Sequence, residues 1–117
     1  MNLPAHIKEA VAAFPKIVTP EVVSAASAAL GVSATEFCDL FAKEVAREYL
    51  AGELSWSDAD CAMNALSGFF FVHLPAAAPF PDYAFAVFQA FDAGEIVAEP
   101  ENERIAREQL ASLHEKA

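Results

Sequence analysis

The stretch Ser33-Ala34-Thr35-Glu36, followed by Phe37, Leu40, Phe41, Val45 and Tyr49, constrains the fold of this chain most. A hydroxyl at an N-cap accepts from the amide three residues on, and a carboxylate there accepts from the N-cap amide in return. Two orphan donors of a helix start are thereby satisfied together. The apolar residues that follow recur at three and four, which places them on one face of a helix. A helix is predicted here, ending near Gly52, and its apolar stripe must be covered by other elements.

Similar punctuation recurs along the chain. Thr19-Pro20-Glu21 gives a capping hydroxyl, a proline at the first helical position and an acid near the positive end of the dipole. That helix should run to about Leu30 and stop at Gly31, which tolerates the left-handed conformation. Ser55-Trp56-Ser57-Asp58 resembles a second capping box and leads into a helix with Ala59, Met63, Leu66 and Phe70 on one face. Its end, Phe69-Phe70-Phe71-Val72, is apolar all round, so burial in the core or against a partner is expected. Pro75 to Pro81 reads as an extended connection. Tyr83, Ala84, Val87, Phe88 and Phe91 mark the next helix, closed by Asp92-Ala93-Gly94. Pro100 opens a last helix carrying Ile105, Ala106, Leu110 and Leu113, and a short first helix spans about Pro4 to Phe14. The expected fold is all-α, a compact bundle of about six helices in a single domain over residues 1–117. Strands are conceivable only at Phe69–Leu74 and Ile96–Ala98.

At 117 residues and 56% hydrophobic, the chain can bury a core without a metal or disulfide staple. Cys38 and Cys61 belong to no CxxC or Cys/His cluster, and no signal-peptide pattern is read at the N-terminus. Free thiols in a reducing cytoplasm are expected. The most apolar run, Gly68 to Phe80, is broken by His73, Pro75 and Pro79 and is too short to span a bilayer.

The net charge of −10 is unevenly placed. Residues 48–103 carry ten acids and no Lys or Arg, whereas the flanking segments nearly balance. Such a field repels nucleic-acid phosphates and anionic lipid and attracts basic partners. The plainer alternative is that acidity keeps a domain with ten Phe in solution.

No catalytic motif is present: no GxSxG, HExxH or GxxxxGK[ST], and no Glu-x-x-His pair of the kind di-iron bundles use. His73 sits where a helix C-terminus favours it, and His6 and His114 lie near the termini, where solvation is expected. Cys38 and Cys61 read as small buried hydrophobes. Asp58, Asp60 and Asn64 mimic part of a cation loop, but they fall on the first turns of a helix, where capping and the dipole explain them. No cofactor or metal is expected.

The acids leave one feature that helix chemistry does not absorb. Glu53, Asp58 and Asp60 surround the junction of the third and fourth helices, and Asp92, Glu95, Glu99, Glu101 and Glu103 that of the fifth and sixth. In an up-down bundle those junctions share one end. Eight carboxylates would then gather at one pole, with Trp56 and Tyr83 as aromatic anchors for a partner.

The segments Tyr49-Leu-Ala-Gly-Glu-Leu-Ser-Trp-Ser-Asp-Ala-Asp-Cys-Ala-Met-Asn64 and Ala90-Phe-Asp-Ala-Gly-Glu95 resemble those of small acidic helical bacterial proteins. Some of these are similar to immunity proteins that neutralise polymorphic toxins; many have no assigned role. The resemblance implies a cytoplasmic protein that covers the basic active face of a toxic nuclease or similar enzyme. It transfers no binding residue.

The leading expectation is a non-catalytic protein-binding domain with a basic protein partner, no nucleic acid and no membrane. A homodimer through residues 68–80 is a further possibility. The alternative is a helical domain holding a small apolar ligand in a pocket of Phe69–Phe71, Phe80, Phe85, Phe88 and Phe91. An enzyme using Cys38 or His73 ranks last.

Overall fold

The computed structural model describes residues 3–116, with side chains through residue 113. Among these the chain forms α1 (Leu3–Ala13), α2 (Pro20–Leu30), α3 (Ala34–Leu50), α4 (Trp56–Val72), α5 (Asp82–Asp92) and α6 (Glu101–Lys116), with no strand. The segment 69–74 continues and closes α4, and residues 96–98 form turns.

The caps follow from the local chemistry. Ser33 Oγ accepts from the Glu36 amide at 3.1 Å and Glu36 Oε1 from the Ser33 amide at 3.0 Å, a complete capping box. Thr19 Oγ1 accepts from Val22, and Gly31 closes α2 at φ 70°, where a side chain would be strained. The box at α4 is only half made. Ser55 Oγ accepts from the Asp58 amide at 3.1 Å, but no return bond forms, since Asp is one methylene shorter than the Glu a box prefers.

Helix α5 starts at Pro81, which offers no capping side chain. Its cap comes from another helix: Asp39 Oδ1 on α3 accepts from the Ala84 amide at 3.0 Å. One turn earlier on α3, Thr35 donates its hydroxyl to the Pro79 carbonyl at 2.6 Å. Two residues of α3 thus fix the entry of α5.

The core is one cluster to which all six helices contribute. Phe37, Phe41, Val45 and Tyr49 of α3 are fully covered, with Met63 and Leu66 of α4 and Val87 and Phe91 of α5 facing them. Each such side chain contributes about 1.5–3 kcal/mol when taken out of water. Helices α3, α4 and α5 pack mutually; α6 lies on α5, α1 on α3 and α4, and α2 on α3. The radius of gyration, 13.3 Å, matches the value of about 13 Å for a compact chain of this length. No helix among the described residues is long and apolar enough to cross a membrane.

Candidate functional site

The α3–α4 and α5–α6 junctions lie side by side. Asn64 on α4 donates from Nδ2 to Glu95 Oε2 at 2.9 Å, joining α4 to the connection between α5 and α6. Tyr49 near the end of α3 donates its hydroxyl to Glu103 Oε1 on α6 at 3.1 Å. Between these bonds the Trp56 ring packs on Phe91, with centroids 6.4 Å apart, and Phe91 stacks edge-on against Tyr49 at 5.2 Å. The same indole closes over Gly94, where a methyl group would touch both Trp56 and Asn102. Trp56 is half-buried and its Nε1 is enclosed without a hydrogen-bond partner among the described residues. It serves here as a strut between the junctions.

The carboxylates around this strut differ in their partners. Glu53 pairs with Arg47 at 3.2 Å, and Arg47 also holds Glu44 at 2.7 Å. Glu101 pairs with Arg104 at 2.6 Å, and Arg104 reaches Glu108 at 3.0 Å. Asp58, Asp60, Asp92, Glu95 and Glu99 make no ion pair among the described residues. Asp60 is half-buried, with its pKa pushed up to about 8 by burial first, then by its hydrogen bond with Glu95 and the charges of Glu95 and Asp92. Asp60 thus holds a proton near neutral pH, while Asp92, Glu95 and Glu99 face solvent.

The structure therefore brings Trp56, Asp60, Asp92, Glu95 and Glu103 together. Glu99 follows on the connection into α6, and Glu101 opens that helix. Glu53 and Asp58 turn the other way, onto a groove shared with Ile7, Lys8 and Val11 of α1. Tyr83 is not at this pole. It sits at the start of α5, under the Lys43 ammonium at 5.3 Å from its ring centre, while Asp92 lies at the far end of the same helix. At 1.5 Å per residue that separates them by roughly 13 Å.

The phenylalanines also divide. Phe70, Phe71, Phe80, Phe85 and Phe88 pack ring against ring, with centroids 4.7–6.4 Å apart. Phe91 belongs instead to the Trp56 cluster, and Phe69 lines a groove against α2. Phe71, Val72 and Phe80 remain exposed at the outer edge of that ring cluster.

Cys38 is fully covered, and burial, aided by the nearby Asp39 charge, pushes its thiol up to about 12. Such a thiol is inert at neutral pH. His73 caps α4 with its backbone, donating to the Phe69 carbonyl, and its side chain is exposed.

His6 differs from the solvated residue expected near a terminus. It is buried at 9% exposure, with its ring edge-on to Phe37. The reason is that α1 starts at Leu3 and lies across α3 and α4, so its first turn already faces the core. The signal was present in the sequence, because His6 falls three residues after Leu3 and four before Ala10, on the apolar stripe of the helix.

Comparison of the chain with protein-family models, curated proteins and solved structures finds no match.

Proposed function

We propose that the chain is a non-catalytic protein-binding domain that offers its acidic pole to a basic protein partner. The observation that carries this reading is the set of exposed carboxylates beside the strut, Asp92, Glu95 and Glu99, without ion pairs among the described residues. Arg47 and Arg104 are already engaged by Glu44, Glu53, Glu101 and Glu108, and Arg107 lies over the Tyr49 ring at 4.9 Å from its centre. The outward field therefore stays negative, which speeds encounter with a cationic surface and disfavours phosphates. The Trp56–Phe91 strut holds the two junctions in register, so a partner meets a preorganised surface. The narrower form of the proposal is an immunity-like inhibitor acting in the cytoplasm against a toxic enzyme with a basic active face.

Affinity capture at low salt from cells that make the protein, with stepped salt elution, tests the reading. A stoichiometric basic protein released by moderate salt is expected, and the double variant Asp92→Lys with Glu95→Lys should fail to retain it. Recovery of the bare domain, or equal retention by the variant, would overturn the reading.

A further inference from the structure

The connection from α5 to α6 carries apolar side chains where a turn has no local use for them. Exposed turns favour Gly, Asn, Asp, Ser and Pro, each for its backbone preference or its hydrogen bonds. Here Gly94-Glu95 is followed by Ile96, Val97 and Ala98, all exposed, and Ile96 keeps 90% of its surface in solvent. One apolar side chain alone on a surface is ordinary. These three stand in a row, bounded by Asp92 and Glu95 on one side and by Glu99 and Glu101 on the other. They form an apolar tip inside an acidic rim.

The tip is held in place by the protein's own bonds. The Gly94 amide donates to the Phe91 carbonyl at 3.0 Å, the Glu95 amide to Asp92 at 3.1 Å and the Val97 amide to Gly94 at 3.3 Å. On the far side the Glu101 amide donates to the Ala98 carbonyl at 3.0 Å, which ties the tip to the start of α6. Asn64 on α4 holds the Glu95 side chain, and the Trp56 indole lies over Gly94. A surface fixed beforehand loses little freedom when a partner binds it.

From this geometry we infer that Ile96 and Val97 anchor the acidic pole on a partner protein whose contact surface is an apolar patch edged by Lys or Arg. The inference rests on the reading of that pole as a docking face and names the chemistry it fits. Charge complementarity selects the occupant. Asp92, Glu95 and Glu99 have no ion pair among the described residues, and residues 48–103 contain no Lys or Arg. An apolar patch without basic edges would strip water from these carboxylates and return nothing. A basic surface without an apolar centre would leave Ile96 in solvent. A second copy of this chain would set the same carboxylates against one another, and like charges oppose that contact. An apolar centre within a polar rim is the usual anatomy of a protein interface.

Two synthetic peptides of equal length and equal lysine content test the assignment, one an amphipathic Lys/Leu helix former and the other a Lys/Ser sequence. Each is titrated calorimetrically into the full chain at low salt, with carbon-13 NMR of the isoleucine and valine methyls. Expected are binding of the Lys/Leu peptide at least tenfold tighter than that of the Lys/Ser peptide, and shifts of the Ile96 and Val97 methyls. Ile96 lies outside the core, so Ile96→Ser keeps the fold; it should abolish the tenfold preference and leave Lys/Ser binding unchanged. Val72→Ser, at the exposed phenylalanine edge, should leave the preference intact. Equal affinities for the two peptides, or a preference that survives Ile96→Ser, would overturn the anchor and leave the acidic docking face standing. Binding of neither peptide would overturn both.

Discussion

Ile17 lies over Gly68 so closely that a methyl group on the glycine would overlap both Cβ and Cγ2 of the isoleucine. The connection between α1 and α2 is thereby set directly onto the backbone of α4, beside the Val18–Ala65 hydrogen bond.

Replacing Gly68 by Ala reverses the usual sign of such a change. Within an exposed helix the substitution gains about 1 kcal/mol. At Gly68 the overlap with Ile17 should make it destabilising by about 1–3 kcal/mol, read from the urea midpoint. Ile17→Ala in the same chain should restore part of the loss, giving a coupling of about 0.5 kcal/mol or more in a double-mutant cycle. A stabilised Gly68→Ala variant would show that the connection does not rest where described.

The Asp60 carboxyl makes stability depend on pH in a defined direction. Its folded pKa of about 8 lies well above that of a free aspartate, so the folded state binds the extra proton between about pH 4 and 8. Stability from this group is full below pH 4 and is lost as pH rises towards 8. For a half-exposed carboxyl screened by solvent, the effect is about 1–2 kcal/mol. Asp60→Asn should flatten the fall in thermal midpoint between pH 5 and 8, and an unchanged slope would place the proton elsewhere.

The cap lent by Asp39 should be separable from packing. Asp39→Ala removes the acceptor for the Ala84 amide and should cost about 1 kcal/mol, whereas Asp39→Asn keeps an oxygen there and should cost less. Amide hydrogen exchange at Ala84 should accelerate in the alanine variant and much less in the asparagine one.

Trp56 offers a contrast between shape and hydrogen bonding. Its Nε1 has no partner among the described residues, so Trp56→Phe forfeits only part of the contact area with Phe91 and should cost about 1 kcal/mol. Trp56→Ala opens a cavity between the two junctions and should cost about 3–5 kcal/mol. Chemical denaturation followed by circular dichroism distinguishes the two.

The helices were legible in the sequence because their ends are governed by residues within one turn of one another. Ser33 with Glu36, Thr19 with Pro20, and Gly31 each act locally, and each sits where its chemistry places it. Neighbourhood across the bundle is a different matter. That Asp39 would cap a helix 45 residues away depends on how α3 and α5 cross, and no local pattern encodes it. The sequence offers Tyr83 as an aromatic anchor for the acidic pole, whereas the direction of α5 puts it at the other end. The burial of His6 was readable from the stripe of α1, but its nearness to the chain terminus suggested solvent. The grouping of Trp56, Asp60 and Glu95 needed the packing of α4 against α5 as well as the positions of the residues.

The cap that α3 lends to α5 also bears on the order in which the molecule comes into being. A chain made from its N-terminus presents Thr35 and Asp39 some 45 residues before Pro79 and Ala84 emerge. Helix α5, which has no side-chain cap of its own, therefore meets its missing acceptor on a helix already synthesised. A circular permutant that placed α5 and α6 ahead of α3 would keep every native contact yet lose this precedence. Its early fragments would carry an uncapped, Phe-rich helix with nothing to lean on.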